Sequence, residues 1–252
     1  LNITGLKTNN RKRLIRTSEI LELIIFLWIT DQARELYLDK IRLEKAAKTD
    51  IEGLHLFDFG TEHSEVWPGF TQVTRHSKYQ EDRGYGWKAL WDLRMEDRRY
   101  PDPLLRDWVR GGGPFVVDVP NGEYVVYLMI DDPGFWEYYQ NFKERKVMAE
   151  EQTVIHETMS AETFFQDYYF AHRNHEDKPG EDIFENYVER RLKWKKFQVK
   201  VTDGQLSLTF KPNNAYANTI SALMLAPKEK EELLHQFMLE LKKQRREYFE
   251  GL

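Results

Sequence analysis

The chain has 252 residues, 41% of them apolar, which is enough to build one sizeable core with flanking elements. Its net charge of −5 argues against a phosphate-binding surface as the default, because such a surface needs an excess of Lys and Arg. With no cysteine, disulfides, thiolate metal sites and Cys nucleophiles are excluded.

Residues 1–50 read as a helical segment. Thr17 or Ser18 can cap it, and Ile20, Leu21, Ile24, Leu27, Trp28, Leu36, Ile41 and Leu43 recur at helical spacing. The apolar run Leu21–Ile29 is too short to span a bilayer, which takes roughly 18 or more apolar residues, and Asp31 and Arg34 follow at once. The chain opens on Leu rather than Met, which reads as a processed chain, a piece of a longer protein or a chain missing disordered ends.

Residues 51–227 read mainly as strands. Leu54-His-Leu-Phe-Asp-Phe-Gly60 alternates. Phe115-Val-Val-Asp-Val119 and Glu123-Tyr-Val-Val-Tyr-Leu-Met-Ile130 flank Asn121-Gly122, and this predicts a hairpin. Lys196–Thr202 and Gln205–Phe210 flank Asp203-Gly204 and predict a second one. Thr219–Ala226 is a last strand. Between the strands, about 133–194, the pattern of Ser160–Phe170 and Asp182–Leu192 predicts a helical insertion. Residues 228–252 predict a C-terminal helix, with Glu229, Glu231 and Glu232 early and Lys242, Lys243, Arg245 and Arg246 late, as the helix dipole favours. Its stripe of Leu233, Leu234, Phe237, Met238 and Leu241 is expected to pack on the N-terminal helix, or across a symmetric homodimer.

A sugar-binding face needs flat aromatic rings beside polar groups that pair with hydroxyls. Three regions offer both. The first is Trp67, Tyr79, Arg83, Tyr85 and Trp87; the second is Asp131, Asp132, Trp136, Tyr138 and Tyr139; the third is Asn213 and Asn218 with Asn214 and Tyr216. Each has a plainer reading as core packing, as an anchor for the insertion or as turn chemistry. Asp131 and Asp132 also suit calcium, a hard cation that prefers oxygen, although a turn or cap role is simpler and no cofactor is expected. His172 and His175 beside Glu176 and Asp177 have no convincing third zinc donor. Arg94, Arg98, Arg99 and Arg106, interrupted by Glu96 and Asp97, read as a solvated face. The sequence has no Gly-x-Ser-x-Gly elbow, Walker loop or His-Glu-x-x-His, and Gly111-Gly-Gly113 precedes a strand rather than a helix.

The order of these strands resembles the malectin-like and galactose-binding-like jelly-roll modules. Phe57-Asp-Phe-Gly60 resembles their opening strand. Gly69-Phe-Thr-Gln-Val73, Tyr79 and Arg83-Gly-Tyr-Gly-Trp87 resemble the loop and strand that follow. Phe115–Leu128 resembles the central hairpin, and Lys196–Phe210 with Asn218–Leu223 the closing strands. The likeness covers roughly 110 residues in pieces, without the helical flanks or the insertion. It implies a jelly-roll β-sandwich that binds carbohydrate through loops at one end. Tyr85, the Trp136–Tyr139 cluster and Asn218 stand where the family contacts sugar. The expectation is a non-catalytic carbohydrate-binding module of a larger, exported bacterial protein, extracellular or periplasmic. Its partners would be an oligosaccharide or polysaccharide and other domains of the parent chain, with no nucleic acid and no membrane span. An assembly module that docks or dimerises through its helices is the alternative, and a glycan-active hydrolase or lyase a lesser one.

Overall fold

The computed structural model describes residues 53–90, 92–110, 113–132, 142–164, 166, 180–212 and 219–251. The chain divides into two compact units, Leu1–Thr49 and Asp50–Leu252, and the described residues belong to the second. The helical reading of residues 1–50 lies outside them.

In chain order the elements are β1 (His55–Phe59), β2 (Thr71–Val73), β3 (Tyr85–Trp87), β4 (Arg94–Asp97), β5 (Asp107–Arg110), β6 (Phe115–Asp118) and β7 (Gly122–Met129). They continue as β8 (Glu144–Ala149), β9 (Gln152–Thr158), the single turn α1 (Ala161–Phe164), a wide π-type turn over Phe184–Glu189, β10 (Lys195–Val201) and β11 (Gln205–Pro212). Then come β12 (Thr219–Ile220), β13 (Ala222–Pro227) and α2 (Glu231–Glu250). Two five-stranded sheets, β10-β7-β13-β1-β2 and β3-β6-β11-β8-β9, face each other, and a small sheet β12-β5-β4 stands beside them.

Period-two alternation decides what lies between the sheets. Phe57 and Phe59, Tyr124, Val126 and Leu128, and Leu223 and Leu225 point inward from the first sheet. Trp87, Phe115, Val117, Leu206, Leu208 and Phe210 meet them from the second. Three edge-to-face contacts tie Phe59, Trp87 and Phe115 together, with centroids 4.9–6.0 Å apart. The molecule is mainly β, a β-sandwich with a C-terminal helix.

The first sheet is apolar on its outer face as well. Leu56, Val125, Tyr127, Met129, Met224 and Ala226 point outward into a second core, closed by Leu234 and Leu241 of α2, by Leu104 and Leu105, and by Phe184, Val188 and Leu192. Leu234 and Leu241 of the α2 stripe face this sheet, because β7 and β13 are apolar on both sides and need cover from both; the expected packing on the N-terminal helix lies outside the described residues. Leu233, read as part of that stripe, is 42% exposed.

Both predicted hairpins turn out to be arches between sheets. β6 pairs with β3 and β11, while β7 pairs with β10 and β13. Neither Asn121 nor Gly122 takes the positive φ that a tight hairpin turn needs. The two arches lie side by side: Gly204 N–H donates to Asn121 Oδ1 at 2.7 Å, and Val119 N–H to Gly204 O at 3.0 Å. The tight hairpin is β8–β9, inside the insertion. Its turn residues Glu150 and Glu151 both have positive φ, 49° and 61°, with neither Asn nor Gly to favour it. The insertion is thus helical only in its later part, at α1 and Phe184–Glu189 among the described residues.

Candidate functional site

The residues of the first predicted region part company. Trp67 and Trp87 are buried and present no ring to solvent. Trp87 fills the sandwich interior and donates its indole N–H to Thr74 O at 3.1 Å. Trp67 lies in the outer core, edge-on to Tyr248. Tyr85 and Trp87, two apart, both point inward, so Gly86 faces out. A Cβ at Gly86 would stand 2.5 Å from Tyr79 N, so only Gly lets the segment at Ser77–Tyr79 lie against β3.

That close approach brings Tyr79 and Arg83 beside Tyr85, whose ring packs on the inner core and is only partly exposed. Tyr79 is partly exposed, and its hydroxyl donates to Asp118 Oδ2 at 2.9 Å. Gln205 Nε2 donates to the other oxygen of Asp118 at 2.5 Å. The hydrogen bond to Asp118 pushes the Tyr79 phenol upward from its ordinary value. The Lys88 ammonium stands 4.4 Å from the centre of the Tyr79 ring, and the Arg83 guanidinium 5.0 Å from that of Tyr85. Arg83 Nε also donates to Tyr85 O at 3.2 Å. The patch thus combines two partly exposed rings with cationic donors, a carboxylate and an amide, which is the chemistry that recognises a hydroxylated ring. Lys88, Asp118 and Gln205 were not singled out from sequence, since their partners stand 9, 39 and 87 residues away.

Asp131 and Asp132, at the exit of β7, are buried in ion pairs. Asp131 Oδ1 accepts from Arg145 at 2.5 Å and Oδ2 from Lys193 N–H at 3.2 Å. Arg145 also donates to Ile130 O at 2.9 Å and to Glu157 at 2.6 Å, and Lys195 Nζ reaches Glu157 at 2.6 Å. Burial works to raise the Asp131 pKa, but the Arg145 and Lys195 charges outweigh it and hold the carboxyl below its ordinary value. This network ties β7 and β10 of one sheet to β8 and β9 of the other. Asp132 takes both arms of the Arg98 guanidinium, at 3.1 and 2.9 Å. Arg106 is similarly clasped by Asp97 at 2.7 Å twice, so Arg98 and Arg106 are structural and only part of the expected solvated face, such as Arg94, is exposed. No group of three or more His, Asp or Glu among the described residues is placed to hold a metal ion.

Trp136, Tyr138, Tyr139, Asn213 and Asn218, with Asn214, Tyr216, His172 and His175, lie outside the described residues.

No family model matches the chain, and no curated protein does. Among solved structures it is similar to protein YXIM from Bacillus subtilis, with 24% identity over 69% of this chain and 40% of that one and a TM-score of 0.46. It is similar to the ANXUR2 extracellular domain from Arabidopsis thaliana, with 12% identity over 69% of this chain and 41% of that one and a TM-score of 0.43. It is also similar to a family 35 carbohydrate binding module from Clostridium thermocellum, with 8% identity over 54% of this chain and 89% of that one and a TM-score of 0.31. The chain spans less than half the length of the first two.

Proposed function

We propose that this chain is a non-catalytic carbohydrate-binding module of a larger exported bacterial protein, and that an oligosaccharide or polysaccharide lies across the Tyr79–Tyr85 patch. The observation that carries this reading is the Tyr79 ring, partly exposed and bordered by Lys88, Asp118 and Gln205. The ring offers C–H contact at low entropic cost, and the three polar groups fix orientation. An extracellular or periplasmic location follows from that role. No helix among the described residues is long and apolar enough to cross a membrane.

Calorimetry against a panel of neutral and acidic oligosaccharides tests the reading. Lys88 is exposed, so Lys88→Ala leaves the fold intact and weakens binding about tenfold, the loss of one charge-assisted hydrogen bond. Absence of binding at millimolar sugar, or binding indifferent to Lys88→Ala and Gln205→Ala together, overturns it. Turnover of a polysaccharide abolished by Asp118→Asn would replace it with the enzymatic reading.

A second reading, assembly through the helices, is favoured by one observation. Leu233 and Leu239 of α2 are 42% and 52% exposed. Light scattering of the wild type and of Leu233→Lys/Leu239→Lys decides it: a strict monomer in both cases removes homodimerisation through α2.

A further inference from the structure

Every second residue of β11 faces away from the sandwich, because Leu206, Leu208 and Phe210 face into it. The outward residues are Gln205, Ser207, Thr209 and Lys211; all can hydrogen-bond, and none is buried. With a rise of roughly 3.4 Å per residue they make a polar track about 20 Å long. Its first residue, Gln205, already closes the Tyr79 patch through Asp118.

Charge at the far end of this track does not balance. Lys211 stands directly opposite Lys146 of β8, and Lys146 directly opposite His156 of β9. All three point outward, since their chain neighbours Phe210, Val147 and Ile155 lie in the inner core. Like charges directly opposite one another on adjacent strands repel and lower stability. Glu144 Oε1 answers two of the three, 2.7 Å from Lys146 Nζ and 2.8 Å from His156 Nε2. Lys211 is exposed and has no ion pair among the described residues. The buried arginines, by contrast, are clasped: Arg98 by Asp132, and Arg145 by Asp131 and Glu157. An opposed ammonium pair on an open sheet face joins no such network, and it complements an anion that comes from outside.

We propose, on the reading of the Tyr79 patch as a sugar site, that the same glycan runs on along β11, and that it is a sulfated polysaccharide with one sulfate ester held between Lys211 and Lys146. The Ser207 and Thr209 hydroxyls meet sugar hydroxyls between the two ends of the track. The row holds lysines and no arginine, and this selects the anion. A flat carboxylate is matched best by the two-pronged guanidinium, whereas an ammonium is a compact charge that grips a single oxygen. A sulfate ester has three terminal oxygens, so it can engage both ammoniums at once.

Calorimetry of the full chain with dextran sulfate, and with unsulfated dextran of equal length, tests the proposal. Dextran sulfate is expected to bind the more tightly, and Lys146→Ala/Lys211→Ala to weaken it about tenfold or more, the loss of charge-assisted hydrogen bonds. Both lysines reach solvent, so this variant keeps its fold. Lys200→Ala/Lys243→Ala removes the same charge from exposed positions on β10 and α2 and leaves the affinity unchanged. Lys88→Ala/Gln205→Ala weakens dextran sulfate as well, because one chain occupies both ends. No binding of dextran sulfate, or equal losses in the Lys146/Lys211 and Lys200/Lys243 variants, overturns the proposal; the patch reading then stands by itself if a neutral oligosaccharide still needs Lys88 and Gln205. Dependence on Lys146 and Lys211 with indifference to Lys88→Ala/Gln205→Ala overturns the continuous track and the patch together.

Discussion

Replacing Arg245 with Met probes how α2 is fastened. The guanidinium is 1% exposed, donates through Nε to Asp102 at 2.9 Å and through Nη1 to Glu189 at 2.9 Å, and lies 5.7 Å from the centre of the Phe184 ring. One side chain thus joins the helix to the loop before β5 and to the Phe184–Glu189 turn. Met matches the aliphatic stem but carries no charge, so Asp102 is left buried with only the Leu104 and Leu105 amides, at 3.1 and 3.2 Å. Breaking such a pair costs about 3–5 kcal/mol, because the remaining charge stays buried. Part of that is offset, since Arg245 Nη2 is already without a hydrogen-bond partner among the described residues. We expect a loss near 3 kcal/mol in urea denaturation, with the slope unchanged. The double variant Arg245→Met/Asp102→Asn should recover part of it, since the amide still accepts from Leu104 and Leu105. A single-variant loss under about 1 kcal/mol would refute the view that this ion pair is desolvated.

Three further outcomes follow from the geometry. Gly60→Ala drives a methyl group into the Asp107 carboxyl, 1.8 Å away, and should cost about 3 kcal/mol by chemical denaturation. Glu151→Gly relieves a left-handed residue in an exposed turn and should raise stability by about 0.5–1 kcal/mol in the same assay. Asp131, held low by Arg145 and Lys195, contributes stability that is present above the ordinary carboxylate value of 3.8 and is lost as the pH falls below it. Asp131→Asn should therefore be less stable at pH 7 yet show a shallower acid limb in a pH titration of ellipticity.

The sandwich was legible because alternation is a local property. Lys196–Thr202 and Gln205–Phe210 each place their apolar residues on one face, whichever strand lies beside them, while Leu54–Gly60 sends Phe57 and Phe59 inward and Leu56 outward. Partnership was not legible. Asn121-Gly122 and Asp203-Gly204 look like hairpin turns, yet each carries the chain across the sandwich, while the turn at Glu150-Glu151 has no favourable residue and is imposed by pairing with β11 and β9. Glu150 Oε1 accepts from Ser207 N–H at 2.8 Å, a contact across 57 residues. The same limit applies to the candidate site. Tyr79, Arg83 and Tyr85 are neighbours in sequence and meet, but their polar companions arrive from β6 and β11. Trp67 and Trp87 have the composition of a sugar platform and serve the two cores, because ring type does not reveal which side of a sheet a ring occupies.

The outer core beneath α2 also bears on how the molecule can be cut. A fragment trimmed at Pro227, where the last strand stops, would keep every sheet hydrogen bond and still strip Leu234 and Leu241 from the outer core, uncovering the part of that apolar face which α2 shields. Such a fragment would stick to itself or to chaperones rather than stand alone. Recombinant versions, fusions and domain swaps should therefore carry the chain through Glu250, treating the terminal helix as the third layer of the sandwich.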